Sequence, residues 1–352
     1  MLNKEEGLFH IISHTDLDGV AAAAVAWHVH CREGNPIRLS LTGYGEVDNL
    51  MLEAMKSGGR MMVLDLSPQY QTTVDEIDRF FSGDVPFLFD HHKSTFEKYR
   101  NRPWIKADMA CCGASVYWNW LFDGNASPDA LLRIEPLREI VRVANDRDMW
   151  INEDPDGRLW QAMVTLCGEW GALARLISNP SAAFTNSERR AVTSFVERQE
   201  ERFKRAKDHL VRDRITHSGE GKAKSDEMVF LGDGHLEFGD TSDFCGMILD
   251  RPGALGEGEN PPALAALAYR KPGGGWAVSL RSRDGLAGRV VSLLKDGRKI
   301  RGGGHGDAAA LYFPNNYNES GIRESITAAL SAERESSSGM GVTLGDLLKG
   351  SL

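Results

Sequence analysis

The chain has 352 residues, 41% of them hydrophobic and 26% charged, which is the balance of a globular protein and enough material for the cores of two ordinary domains. A formal charge of -9 excludes a broad surface built to coat long nucleic acid, which needs many Lys and Arg contacts to phosphate, but leaves small anionic substrates open. No stretch approaches the ~18 apolar residues needed to cross a bilayer and the amino terminus lacks the form of a signal peptide. The five cysteines form no C-x-x-C pair, so a cytoplasmic protein with no membrane partner is expected.

Leu8 to Ile12 is dense in β-formers and predicts a first strand, with His10 as a strand residue. Ser13-His14-Thr15-Asp16-Leu17-Asp18-Gly19 breaks it, and an alanine-rich helix follows from about Val20 to Arg32. Ile37 to Gly43 predicts a second strand, Val47 to Lys56 a helix, and Met61 to Leu64 a third strand that stops on Asp65. A helix near Thr72 to Phe81 leads into Phe87-Leu-Phe-Asp90-His91-His92, three apolar residues that end on an acid and two imidazoles. Trp104 to Ala107 adds a strand. Helices are expected over Ala114 to Phe122, over Leu131 to Ala144 running into Asn145-Asp146-Arg147-Asp148, and in short pieces from Arg158 to Ile177. Strands alternating with helices argue for an α/β fold with a mostly parallel sheet flanked by helices.

Val192, Phe195, Val196, Phe203 and Leu210 stand at helical spacing in the charged stretch Ser187 to Val211 and predict one long connecting helix. Beyond it, strands at Met228 to Leu231, Leu264 to Tyr269, Ala277 to Leu280 and Ala308 to Phe313 mix with helices at Thr241 to Leu249, Leu286 to Leu294 and Ile322 to Glu333. The expected organisation is a first domain over 1-185, a connecting helix over 186-217, a smaller α/β domain over 218-335 and a tail over 336-352, with the site in a cleft between the two domains. Trp118, Trp120, Trp150, Trp160 and Trp170 read as core and packing residues rather than a base-stacking platform.

Parallel neighbours bring their carboxyl ends to one rim, where open α/β sheets hold their ligands. His14, Asp16, Asp18, Asp65, Asp90, His91 and His92 all follow or end strands, and Asp146 ends a helix. Carboxylates gathered there repel one another unless cations lie between them. Oxygen donors with one or two imidazoles and no thiolate suit Mn2+ or Mg2+, and two such ions bridged by a carboxylate can activate a water for in-line phosphoryl displacement. In the second half, the glycines of Gly302-Gly303-Gly304-His305 can let backbone N-H groups approach an anion, His305 can donate to a phosphate or base, and Arg281 has a fork suited to phosphate.

Together, His14-x-Asp16-x-Asp18-Gly19, the strand-ending Asp65, Asp90-His91-His92 and Gly302-Gly-Gly-His305 resemble the DHH phosphoesterase family with its associated C-terminal domain, over roughly Leu8 to Phe313. The resemblance implies a Mn2+-dependent hydrolase with two ions, Mg2+ being an alternative. Asp16 and Asp18 would each hold one ion, Asp65 would bridge them, His91 would ligate the second, His92 would face the phosphate, and Asp90 would orient a histidine. His14 is added to the ligands, although phosphatase-like members carry their histidine at the position occupied here by Ile12. The family's fourth motif, an aspartate at a helix end, falls on Asp146, with Asp148 as its rival. Arg281, Ser282, Gly302, Gly303, Gly304 and His305 would bind substrate. The implied substrates are oligoribonucleotides of a few residues, linear or cyclic dinucleotides, or a nucleoside bisphosphate; a homodimer is open. The rival readings are a RecJ-like single-strand exonuclease and a nucleotide sensor that binds without cutting.

Overall fold

Two units divide the chain, Met1–Glu197 and Arg198–Leu352. The computed structural model describes residues 8-31, 36-83, 85-219, 222-250, 253-295, 299-304 and 306-337.

The first unit begins with β1 (Phe9–Ser13), α1 (Leu17–His30), β2 (Ile37–Leu41), α2 (Val47–Ser57), β3 (Arg60–Leu64), α3 (Gln71–Phe80), β4 (Leu88–Asp90), α4 (Lys93–Tyr99) and β5 (Ile105–Ala107). The strands lie in the order β2-β1-β3-β4-β5 and every pairing is parallel. The order reverses at β1, which has β2 on one side and β3 on the other. Connections leaving β1 and β3 therefore diverge and open a crevice at the carboxyl ends of these two strands. Register sharpens the placement, because Ser13 pairs with Leu64 and Leu64 with Phe89, so the residues that follow each strand arrive at the same level.

The period of two along each strand sorts the sheet's apolar residues onto two covered faces. Ile11, Met62, Leu64 and Phe89 belong to one buried cluster, and Ile12, Met61, Val63 and Leu88 to another. Four helices complete the unit: α5 (Gly113–Trp120), α6 (Pro128–Ile134), α7 (Arg138–Asp148) and α8 (Pro155–Ser178), before α9 (Asn186–Lys207). The single helix expected over Leu131 to Ala144 is two helices joined by a 3-10 turn, Glu135–Leu137. Pro136 explains the break, since it has no N-H to give and its ring crowds the preceding turn. The short pieces expected after Arg158 form one run, interrupted where Gly168 takes a left-handed φ of 73°.

Helix α1 is buried all round: every residue from Val20 to Ala26 is sealed, packed against β1 and against α5, α6, α7 and α8. Its run of four alanines is what makes that close approach sterically possible. Ala23→Leu should therefore destabilise the protein by about 1–3 kcal/mol through overpacking. Urea unfolding would show this as a lowered midpoint; an unchanged midpoint would mean that α1 has room beside it.

The second unit holds β6 (Val211–Gly219), β7 (Lys222–Leu231), α10 (Thr241–Asp250), β8 (Leu264–Arg270), β9 (Trp276–Arg281), α11 (Leu286–Lys295), β10 (Arg301–Gly304), β11 (Ala308–Phe313) and α12 (Glu319–Ser337). Its sheet has the order β10-β11-β9-β8-β7-β6, antiparallel except between β7 and β8. Residues 211-217, grouped in the sequence with the connecting helix, belong instead to this sheet as β6. A charged edge strand with one well-buried apolar residue, Ile215, carries too little hydrophobic pattern to announce itself. Of the expected tail, residues 338-352 lie outside the described residues. Among the described residues no helix is long and apolar enough to cross a membrane.

Candidate metal centre

The crevice between β1 and β3 collects side chains from five chain segments. Asp16 caps α1, its Oδ1 accepting the Gly19 N-H at 3.0 Å while its Oδ2 lies 2.7 Å from His14 Nδ1. Gly19 is required there, because a Cβ would stand 2.4 Å from the His14 carbonyl oxygen. Asp18, in the first turn of α1, is clamped by the first amides of α5: Gly113 N-H donates to Oδ2 at 2.7 Å and Ala114 N-H to Oδ1 at 2.8 Å. The α5 end is itself tied to α7, since Cys112 N-H donates to Asn145 Oδ1 at 2.9 Å.

Asp65, directly after β3, adopts a left-handed backbone with φ 55° and is 1% exposed. Three imidazoles surround its carboxylate: His14 Nδ1 at 3.5 Å, His91 Nε2 at 3.3 Å and His92 Nδ1 at 3.8 Å. Asp90 ends β4 and its Oδ1 accepts the His91 N-H at 2.8 Å and the His92 Nδ1-H at 2.7 Å. That bond assigns the proton to Nδ1 and turns His92 Nε2 toward the Tyr44 hydroxyl, 3.0 Å away. Asp90 thus orients a histidine, and the histidine is His92.

Of the two aspartates in the last turn of α7, Asp148 is the one that faces the cluster. Its Oδ2 lies 3.2 Å from His91 Nε2, whereas Asp146 turns away and accepts the Glu153 and Asp154 N-H groups at 3.0 and 3.1 Å. Asp146 is thus a turn-forming residue, and assigning it as a ligand is corrected. His10 is a strand residue, as expected, paired with Ser40 Oγ at 2.9 Å. Tyr44, Gly113 and Asn145 were not singled out from sequence. Tyr44 had a signal, since Gly43-Tyr44-Gly45 follows β2 and reaches the same rim. The other two do not, because Gly113 acts through its own backbone N-H and Asn145 by accepting the backbone N-H of Cys112, and neither bond leaves a mark in the residue pattern.

In the second unit, Arg281 Nη1 donates to Ser279 Oγ at 2.8 Å and to the Leu280 carbonyl at 3.0 Å. Ser282 is fully buried, and its hydroxyl donates to Asp307 Oδ1 and accepts the Ala287 N-H, both at 3.0 Å. It caps α11, so its expected contact with substrate is corrected. Gly302, Gly303 and Gly304 are strand residues opposite Leu311, Ala310 and Ala309 rather than a loop. Gly303 has open space where a side chain would be. His305 lies outside the described residues.

Among the described residues, three overlapping donor sets have ligand atoms within 4.8 Å of one another: His14, Asp16 and Asp65; Asp18, His91 and Asp148; and Asp65, Asp90, His91 and His92. Asp65 and His91 are each shared by two sets. Both Asp65 oxygens, Asp90 Oδ2 and Asp148 Oδ2 are buried yet accept no hydrogen bond. Buried carboxylate oxygens without donors are costly unless a cation satisfies them, so the residues fit a pair of hard divalent ions. The electrostatics carry the same message. Burial and the charges of Asp65 and Asp148 push the Asp18 carboxyl well above its usual range. Burial, only partly offset by His91, pushes Asp148 up to about 6. Burial alone would lower the imidazoles, but the carboxylates of Asp16 and Asp65 hold His14 at about 11, and those of Asp65, Asp148 and Asp18 hold His91 at about 10.

A pH dependence follows. Raised imidazole pKa values stabilise the fold fully below about 6.5, the unfolded value, and that contribution is lost as pH climbs toward 10 or 11. The raised Asp148 carboxyl acts in the same direction, losing its contribution as pH rises from about 4 to about 6. Metal-free protein in chelator should therefore melt at lower temperature at pH 9 than at pH 6. Metal needs the imidazoles neutral, so the increase in melting temperature on adding Mn2+ should grow over the same range. Differential scanning fluorimetry at several pH values reads both, and an increment that shrinks with rising pH would contradict the arrangement.

No family model matches the sequence, and no curated protein matches it either. Solved structures do. An exonuclease RecJ bound to manganese is 14% identical with a TM-score of 0.56, covering 97% of this chain and 96% of its own. RecJ from Thermus thermophilus in complex with Mn2+ is 14% identical with a TM-score of 0.54, over 93% of this chain and 53% of the larger RecJ chain. The DHH domain of a protein assigned to a family of ribosomal proteins is 14% identical with a TM-score of 0.50, over 97% of this chain and 88% of its own. At these identities the likeness shows the fold alone: the chain has the DHH-type α/β architecture.

Proposed function

We propose that this chain of DHH fold is a divalent-metal phosphoesterase acting on short nucleotides: oligoribonucleotides of a few residues, dinucleotides or a nucleoside bisphosphate. The observation that carries this reading is Asp65, a buried carboxylate whose two oxygens accept no hydrogen bond although three imidazoles stand within 3.8 Å of them in the β1-β3 crevice. Bound Mn2+ or Mg2+ would supply a water of lowered pKa and positive charge against the phosphoryl oxygens. Asp16, Asp18, Asp65, His14, His91 and Asp148 are the groups that would hold two such ions, with Asp65 shared. Burial alone would lower the His92 imidazole, but Asp90 holds its Nδ1 proton and raises it, so that the doubly protonated ring has an Nε2-H to donate to a phosphoryl oxygen. In the second unit, Arg281 and the open edge at Gly303 are the groups proposed to bind the nucleotide.

The net charge of -9 supports short substrates over long strands. A second reading, single-strand exonuclease, draws on the RecJ structures, which share the fold over nearly the whole chain. Incubating the protein with Mn2+ or Mg2+ and either a labelled diribonucleotide or a long single strand, then separating the products, tests both. Faster cleavage of the dinucleotide supports the proposal, preference for the long strand supports the exonuclease, and nucleotide bound but unchanged would make the protein a sensor.

A further inference from the structure

Among the described residues, the non-glycine ones with left-handed backbone besides Asp65 are Trp150, at φ 55°, and Asn152, at φ 54°. A bulky residue resists that conformation, and it persists only where the surroundings impose it. Here Asp146 imposes it. Its carbonyl accepts the Ile151 and Asn152 N-H groups at 3.0 and 3.2 Å, its carboxylate takes the next two amides, and Arg147 Nη1 donates to Asn152 Oδ1 at 3.2 Å.

The turn so fixed holds an indole partly in solvent. Trp150 is 39% exposed, whereas the packing tryptophans Trp118 and Trp160 are 7% and 0% exposed. Trp170, in α8, is 48% exposed as well, so the expectation that Trp150 and Trp170 are core and packing residues is corrected. The Arg147 guanidinium lies over the ring, 4.7 Å from its centroid, which stiffens the indole. Two peptide units separate Trp150 from Asp148, so their Cα atoms stand within about 7 Å of each other. An exposed, strained and backed aromatic beside a phosphate-handling centre has the properties of a base platform, since every nucleobase offers a π-face.

We infer that Trp150 stacks on the nucleobase next to the scissile phosphate, with Arg147 supporting the ring, and so makes the centre select nucleotides over other phosphoesters. This rests on the nucleotide reading proposed above. Steady-state kinetics on the diribonucleotide ApA and on a ribose-phosphate dimer lacking both bases would test it. Trp150→Ala should lower kcat/KM for ApA roughly 5- to 150-fold, mainly through KM, and leave the base-free dimer unchanged. Trp150→Phe, which keeps a stacking face, should recover most of the loss. An equal loss on both substrates would make Trp150 merely structural, and no loss on ApA would also overturn the inference. Calorimetric binding of a non-hydrolysable methylene analogue of ApA separates this from the reaction itself. If wild type binds the analogue, Trp150→Ala weakens it by the same factor and ApA is never cut, the platform stands and the hydrolase proposal falls. If wild type binds no nucleotide, the platform falls.

Discussion

Asp65→Asn should leave a folded protein that gains no stability from Mn2+ and turns over a short nucleotide on the order of 10³-fold more slowly. That loss corresponds to the several kcal/mol of charge stabilisation a shared metal site contributes, at about 1.4 kcal/mol per decade. Asparagine is the informative replacement because it tolerates the left-handed backbone at φ 55°, where alanine would add about 1–2 kcal/mol of strain and confuse the result. Its amide also removes the negative charge that, together with burial, raises the pKa values of Asp18 and Asp148. The metal-free variant should therefore melt no lower than the metal-free wild type. Melting curves with and without Mn2+, together with turnover, distinguish loss of the ion site from loss of fold. Near-normal activity in this variant would remove Asp65 from the shared position.

Gly113→Ala should be nearly as damaging, though it deletes nothing. A Cβ at position 113 would stand 2.9 Å from Asp65 Cβ, 3.1 Å from Asp65 Cα and 3.1 Å from Asp18 Oδ2. None of these is the loose end of a long side chain, so the amino end of α5 must retreat. Retreat lengthens the two amide bonds that aim the Asp18 carboxylate. Loss of such an orienting contact typically costs 10–100-fold in metal affinity, and about 10²-fold in turnover is expected here. Strain from the added methyl should also cost about 1–3 kcal/mol of stability. A Mn2+ titration followed by turnover at saturating metal would show whether affinity, rate or both have fallen. Wild-type affinity would mean that α5 does not set the position of Asp18.

Much of this centre could be read before any coordinates, because hydrophobic strands that stop abruptly on acids and imidazoles mark the rim of a parallel sheet. His14, Asp16, Asp18, Asp65, His91 and His92 all converge for that reason. The choice between Asp146 and Asp148 could not be read in the same way. Both lie in the last turn of α7, and Asp146 falls on the buried stripe continued from Val143, which makes it look directed inward. Its actual partners are backbone amides of the turn that follows, and no side-chain pattern encodes those. Gly113 and Asn145 stayed hidden on the same ground. Ser282 misled in the opposite sense, because a serine before a helix can cap it or contact a ligand, and here capping consumes the hydroxyl. In the second unit, β6 and β10 lacked the apolar alternation on which strand prediction depends.

The sealing of α1 has a mechanical consequence for the centre. Asp16 and Asp18 ride on a helix that cannot shift without disturbing packed side chains on every flank, so these two of the six donors behave as a fixed anvil. Asp148, in the last turn of α7, is held from the other side by the turn that Asp146 ties down, so the opposing donor is fixed by hydrogen bonds where Asp16 and Asp18 are fixed by packing. Slow hydrogen exchange both along α1 and at the amides of residues 151-154, changing little when Mn2+ is added, would record a centre already stiff before any ion arrives.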